Sequence, residues 1–312
     1  MMMLPLTAVI MAVLTLTPLA APVLADDSAG HLSKLELRPG ELFRGQAAAA
    51  ILTLRDAAPE RPPGVSLAGR PVVVVPDGPR WVALLGLDVN MKAGRHALTV
   101  EGLDRSGQPW RAERTIMVKD RDYGARNITV PREQVELSPE DLERAKRERV
   151  LVEKALATVS PDRLWLGPFR RPVPGEVISP FGRVTHINGQ PGRNPHAGVD
   201  LRAATGVPVK APAAGRVILT GEHFFAGGSV YLDHGQGLLT VYMHLSRIDV
   251  GDGDLVEAGR GIGLVGATGR VTGPHLHYAV RLGGARVDPL GFHEITSFLD
   301  ERKTKKRGNK ES

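Results

Sequence analysis

The chain has 312 residues, 42% hydrophobic and 24% charged, with a formal net charge of +6; this balance excludes a wholly disordered polyelectrolyte and leaves room for two modest cores. The absence of cysteine excludes a disulfide framework, a thiol nucleophile and a thiolate metal site, so any metal must rest on His, Asp or Glu. With 36 Gly, 24 Pro and only 4% aromatic residues, short strands and frequent turns are expected over long helices, and the fold class is mostly β.

Residues 4–24 are almost wholly apolar or small and close on Val23-Leu24-Ala25 before Asp26-Asp27. This pattern reads as a secretory signal peptide over residues 1–25, cleaved after Ala25. Pro5, Pro18 and Pro22 disfavour a regular spanning helix, so no stable membrane insertion is expected once the signal is removed. A retained anchor is the alternative, because the stretch approaches the length of a span.

Over residues 31–120, β-type runs at Leu35–Leu37, Ala49–Leu54, Pro71–Val75, Arg80–Leu87, His96–Leu103 and Arg111–Val118 are parted by breakers such as Pro39-Gly40 and Asp77-Gly78-Pro79. The spacing predicts a small N-terminal β-sandwich with no evident chemistry. Residues 121–160 then form a linker and a connector helix. Ser138-Pro139-Glu140-Asp141 is a helix-start signature, and Leu142, Ala145, Leu151, Val152, Ala155, Leu156 and Val159 make an apolar stripe. Its basic residues read as solvated surface.

Residues 161–295 change texture to short Val/Ile/Leu runs closed by Gly, from Val207–Ala211 to His275–Val280, which predicts a second, hairpin-rich β domain. Residues 296–312 read as a basic tail. The segment 301–312 alone holds six Lys or Arg against two Glu, so much of the net charge is local, and the tail is a candidate contact for an anionic surface. No GxGxxG or Walker pattern follows a strand, and no nucleic-acid partner is expected.

Four of the ten histidines fall in three short segments of the second domain. In His275-Leu276-His277 the two imidazoles share a face only on a strand. Read the same way, His196-Ala197-Gly198-Val199-Asp200 projects His196, Gly198 and Asp200 to one side. With His244 in Tyr242-Met243-His244-Leu245, these segments supply imidazoles and one carboxylate. Two imidazoles and a carboxylate suit a catalytic zinc, because three protein ligands leave a fourth position for water.

At this point the residues match a family. Residues 193–201 (RNPHAGVDL) and 272–277 (TGPHLH) resemble the lysostaphin-like, LytM-type zinc peptidases that hydrolyse peptidoglycan peptides. The likeness continues through Ser179–Arg183, Pro208–Gly215, Asp233–Leu238 and Tyr242–Leu245, and it covers residues 165–292. The region before it looks like the N-terminal part of exported members from diderm bacteria. The resemblance implies a C-terminal antiparallel β peptidase domain with Zn2+ bound by His196, Asp200 and His277, and with His244 and His275 as the two catalytic histidines that do not bind metal. It implies peptidoglycan as substrate, the D-alanyl to meso-diaminopimelate cross-link as the bond cut, and a periplasmic, wall-associated location. All five residues are present, which argues against the degenerate relatives that bind wall or activate a cell-wall amidase without turnover. A cupin-like reading expects an acid soon after His-x-His, and Tyr278–Leu282 has none.

Of the other histidines, His234 is expected to stabilise a hairpin turn and His96 to be a surface or packed residue. His186 and His223 are placed in loops beside the groove, and His293 lies outside every matching motif.

Overall fold

The computed structural model describes residues 25–26, 30–55, 61–129, 137–190, 192 and 194–308. Apart from Ala25, the stretch read as a signal peptide lies outside these residues. The first half contains β1 (Ala25–Asp26), β2 (Leu32–Arg38), β3 (Leu42–Phe43), β4 (Ala47–Leu54) and β5 (Gly64–Leu67). It continues with β6 (Arg70–Pro71), β7 (Val73–Asp77), β8 (Arg80–Gly86), β9 (Gly94–Leu103) and β10 (Pro109–Lys119). One sheet runs β1-β10-β9-β5-β6 with β3 also on β10, and the other runs β2-β4-β8-β7. The two sheets close on Leu52, Leu85, Leu98, Val100 and Trp110, giving the expected sandwich.

Between the halves lie β11 (Ala125–Ile128) and α1 (Pro139–Leu156). The second half has β12 (Val177–Ser179), β13 (Val184–Ile187), β14 (Val199–Leu201), β15 (Pro208–Lys210), β16 (Gly215–His223) and β17 (Gly227–Asp233). After these come β18 (Leu238–Ile248), β19 (Leu255–Val256), β20 (Gly261–Val265), β21 (Leu276–Leu282), β22 (Ala285–Val287) and α2 (Pro289–Gly308). Its antiparallel sheet has the order β12-β14-β21-β18-β17-β16-β19, with β20 on β18, β15 on β20 and β22 on β21.

Period-two alternation explains how the halves join. In β4, Ala48, Ala50 and Leu52 face the sandwich interior, while Ala47, Ala49 and Ile51 share a second core with Trp165, Phe169, Val280 and Leu299. Strand β8 divides likewise, with Ala83 and Leu85 inward and Val82 and Leu84 outward. A sheet buried on both faces needs apolar residues at successive positions, and the alanines of β4 supply them with little bulk. Of the two cores expected from length, the sandwich keeps its own, while the second runs across both halves. Asp88 and Arg286 lock its edge with a two-pronged ion pair at 2.7 and 3.1 Å.

Helix α1 begins as its sequence predicts, with the Ser138 hydroxyl accepting from the Asp141 amide at 3.1 Å. Only part of its stripe is used: Val152 and Leu156 pack over Tyr231, Val241 and Ala279, while Leu142 and Leu151 stay exposed. The basic tail requires correction, because α2 carries the chain through Gly308. Phe292, Ile295, Thr296 and Leu299 recur at helical spacing and are buried, so the first turns of the segment are fixed by the core. Residues 309–312 lie outside the described residues. Among those described, no helix is long and apolar enough to cross a membrane.

Two buried histidines are structural. His234 donates through Nδ1 to the Ala214 carbonyl at 2.8 Å and accepts at Nε2 from the Thr240 hydroxyl at 2.8 Å, which in turn accepts from Tyr242 at 2.7 Å. His293 accepts from the Tyr278 hydroxyl at 2.9 Å. Burial pushes both down to about 4. Since the unfolded chain takes these protons near pH 6.5 and the native state resists until about 4, native stability is complete above that window and is lost as pH falls through it. Each histidine is worth on the order of 3 kcal/mol by pH 4. Urea midpoints should drop between pH 7 and pH 4.5; a flat profile would contradict the assignment.

Candidate metal centre and active site

Three adjacent strands bring the motif residues together. Asp200 on β14 pairs in register with His277 on β21, and His277 pairs with Met243 on β18. Asp200 and His277 are thus cross-strand neighbours, the closest relation a sheet offers two side chains. Leu276 between the histidines is fully buried, and His275 bridges to Gly266 just before β21, so the two-residue spacing is extended as expected.

His196 differs from its expected place on a strand, because β14 begins only at Val199. Its peptide is tied elsewhere: the His196 amide donates to Arg183 O at 3.0 Å, and the Gly182 amide donates to His196 O at 2.9 Å. The ring is fixed by a third bond, from Nδ1 to the Pro180 carbonyl at 3.0 Å.

His244 is aimed by a β-bulge. Val230 faces Tyr242, yet Gly228 faces Leu245, so β18 holds one residue more than β17 across this step. The residue that absorbs it is His244, whose φ is +69°. A side chain larger than glycine in this left-handed region is uncommon and costs about 1–3 kcal/mol, which the surrounding bonds must offset. Its amide donates to Ala226 O at 2.8 Å and its Nδ1 to Thr268 O at 3.0 Å.

The resulting geometry is compact. His196 Nε2 lies 3.0 Å from Asp200 Oδ1 and 3.0 Å from His277 Nδ1, and His277 Nδ1 lies 2.9 Å from Asp200 Oδ1. The His275 Nε2 is 3.8 Å from the same carboxylate oxygen, and the His244 and His275 ring centroids are 4.9 Å apart.

A carbonyl only accepts, so Pro180 O commits the proton of neutral His196 to Nδ1 and leaves the Nε2 lone pair facing the triangle. One remaining proton, on His277, cannot satisfy three mutual contacts among two nitrogens and an oxygen. Three electron-rich atoms converging this way fit a divalent cation with N/O preference. Among the described residues, these three form a group able to hold a metal ion. The carbonyls of Gly273, at 2.8 Å from His275 Nδ1, and Thr268 fix the other two rings in the same tautomer, with both Nε2 atoms left free to take a proton.

Electrostatics favours this protonation pattern. Burial pushes Asp200 up, but the adjoining His196 and His277 imidazoles outweigh it and hold the carboxyl well below the usual range. Burial pushes His277 down. Burial, with His277 and His275 nearby, brings His244 to about 4. An ionised carboxylate beside neutral imidazoles is the state that metal binding requires.

Gly198 is a position where this packing leaves no room for a side chain. A Cβ there would strike the Tyr278 carbonyl and come within 2.9 Å of His277 Cε1 and Nε2. Gly198→Ala is expected to cost about 1–3 kcal/mol and to loosen the metal by moving His277. Thermal unfolding and metal content together would check it, and unchanged metal content would contradict it.

The remaining histidines stay outside the cluster. His234 and His293 are the buried pair described above. His223 is buried against Ser229 at 2.7 Å, His186 accepts from the Gly192 amide at 3.3 Å, and half-buried His96 bonds Lys92 O at 2.7 Å. The residues that sequence reasoning missed are the backbone acceptors Pro180, Thr268 and Gly273, since a carbonyl leaves no signal in residue type.

Comparison with known proteins bears on the same segment. Residues 194–289 match the profile of Peptidase family M23. The peptidoglycan DD-endopeptidase ShyA of Vibrio cholerae is 45% identical over 96 residues, 31% of this chain and 22% of that protein. The DD-carboxypeptidase/endopeptidase Mpg of Neisseria meningitidis is 41% identical over 114 residues, 36% of this chain and 26% of the relative. The chain thus matches about a quarter of the length of these curated relatives. A crystallised Pseudomonas aeruginosa protein described as a peptidase M23 is 37% identical, with a TM-score of 0.65, and the match covers 83% of this chain and 96% of that one.

Proposed function

The chain belongs to peptidase family M23, and from that premise we propose that it is a zinc metalloendopeptidase that hydrolyses peptide cross-links of peptidoglycan. The observation that carries this reading is the convergence of His196 Nε2, Asp200 Oδ1 and His277 Nδ1 within 3.0 Å of one another, beside two imidazoles that hold no ligand position. M23 peptidases are zinc metallopeptidases, and the two imidazoles and one carboxylate here suit that ion.

Zinc held by these three residues supplies Lewis-acid polarisation of a scissile carbonyl and makes hydroxide accessible near pH 7. The chain's own groups do the proton work. His275 and His244 each present an unprotonated Nε2, because Nδ1 of each is committed to a carbonyl. One of them takes a proton from the attacking water. The imidazolium so formed donates a hydrogen bond to the oxygen that gains charge, and the proton is delivered to the leaving amine nitrogen. The bulge at His244 and the Thr268 and Gly273 carbonyls hold these rings in place before substrate arrives, so little reorganisation is left to the reaction.

The bond we assign is the D-alanyl to meso-diaminopimelate cross-link, a reading supported by the DD-endopeptidase relatives. Export through a cleaved signal over residues 1–25 places this activity in the periplasm, at the wall. Purified cross-linked sacculi test it: the zinc-loaded protein should convert cross-linked dimers to monomers with a new amine on diaminopimelate. Tight binding without product, together with stimulation of a separate amidase, would instead make the chain a wall-binding activator.

A further inference from the structure

We propose that Tyr123, in the segment joining the two halves, is a positioning residue through which the β-sandwich fixes the orientation of His196; this rests on the reading of His196 as a zinc ligand. On one side the segment 180–184 grips His196: Pro180 O holds its ring at 3.0 Å, Gly182 N its carbonyl at 2.9 Å and Arg183 O its amide at 3.0 Å. On its other side the same segment meets the connecting chain. The Val184 amide donates to Gly124 O at 3.1 Å, β11 pairs parallel with β13, and the Tyr123 ring stands edge-on to Phe181 with centroids 5.6 Å apart.

Two glycines make room for that ring, one from each half. At Gly182, with φ +81°, an added Cβ would overlap the Tyr123 ring; at Gly45, with φ +80°, it would lie 2.9 Å from Tyr123 Cζ and 2.8 Å from Phe181 Cε1. The Tyr123 hydroxyl donates to Arg44 O at 2.7 Å, and the Arg121 guanidinium stacks on the ring, 5.5 Å from its centroid. Gly45 is itself held by the Leu87 carbonyl at 2.6 Å and accepts from the Asp288 amide at 2.8 Å. A rigid aromatic wedged between sandwich backbone and the turn that grips His196 transmits the position of one to the other, because close-packed groups cannot yield without a cavity or a clash.

The connection runs through a carbonyl that orients a ligand, and loss of an outer partner of this kind costs metal affinity roughly 10–100-fold. In the full-length protein, Tyr123→Ala should weaken zinc about tenfold or more, measured by competition with a chromophoric chelator. Titration with cobalt should give altered visible absorption bands, since those report ligand geometry. Tyr123→Phe keeps the ring and should restore affinity and spectrum. Arg286→Ala cuts the Asp88 contact elsewhere on the same interface and should lower Tm while leaving zinc affinity as in the wild type. Should Tyr123→Ala fold poorly, Gly45→Ala displaces the same ring from the sandwich side and should weaken zinc in the same direction. Wild-type affinity and spectrum in Tyr123→Ala, with only Tm lowered, would overturn the proposal while leaving the zinc site intact. Absence of zinc binding by the wild type would overturn both.

Discussion

Asp200→Asn is expected to strip the metal from the protein and to abolish hydrolysis while leaving the fold in place. The change preserves shape and removes the one negative charge of the triangle, so its effect reads charge more than packing. Two imidazoles with an amide between them bind a divalent ion far less well than two imidazoles with a carboxylate, and the loss should exceed the roughly 10–100-fold that follows removal of an outer partner. The fold survives because Asp200 sits in the middle of a register fixed on either side by Val199 and Leu201, both buried. Metal content after dialysis and far-ultraviolet circular dichroism decide the matter. A variant that keeps a full equivalent of zinc would remove Asp200 from the ligand set.

The second large effect separates catalysis from binding. His275→Ala and His244→Ala should each retain zinc and lose about 10²–10⁴-fold in kcat, the usual share of a positioned acid or base. Neither ring contributes an atom to the triangle: His275 Nε2 stands 3.8 Å from the carboxylate that the other groups approach to 3.0 Å or less. Because the two rings are neighbours serving one proton path, the double variant should lose little more than the worse single one. Full additivity of the two losses would show that they act independently.

The sandwich, the capped helix and the extended His275-Leu276-His277 pair were legible in the sequence, because each rests on a local period or a capping residue. What the sequence hid has specific physical causes. His196 leaves the strand of Asp200 because its peptide bonds to Arg183 and Gly182, a pairing across a sequence gap that no spacing encodes. The bulge at His244 follows from pairing register, and Tyr242-Met243-His244-Leu245 contains no glycine to announce it. Strand β11 forms only because β13 offers it an edge. Helix α2 was hidden by reading its charged end as a tail, although Phe292, Ile295 and Leu299 carry a helical period into the core.

The double-faced sheet has a functional consequence. A chain whose halves share one hydrophobic core, clamped by Asp88 and Arg286, resists the relative domain motion that a small polar interface permits. The sandwich is therefore part of the scaffold under the site, and we propose that the orientation of His196 depends on Tyr123, more than seventy positions before it.

The central claim is that His196, Asp200 and His277 hold one catalytic zinc. Zinc stoichiometry and muropeptide release should be measured on the same samples of wild type and His277→Ala, across a series of added zinc. The account predicts that wild-type turnover rises with bound zinc and saturates at one equivalent per chain, while His277→Ala neither retains the ion nor releases monomers. Equal zinc retention by His277→Ala, or wild-type turnover that ignores zinc occupancy, would contradict it.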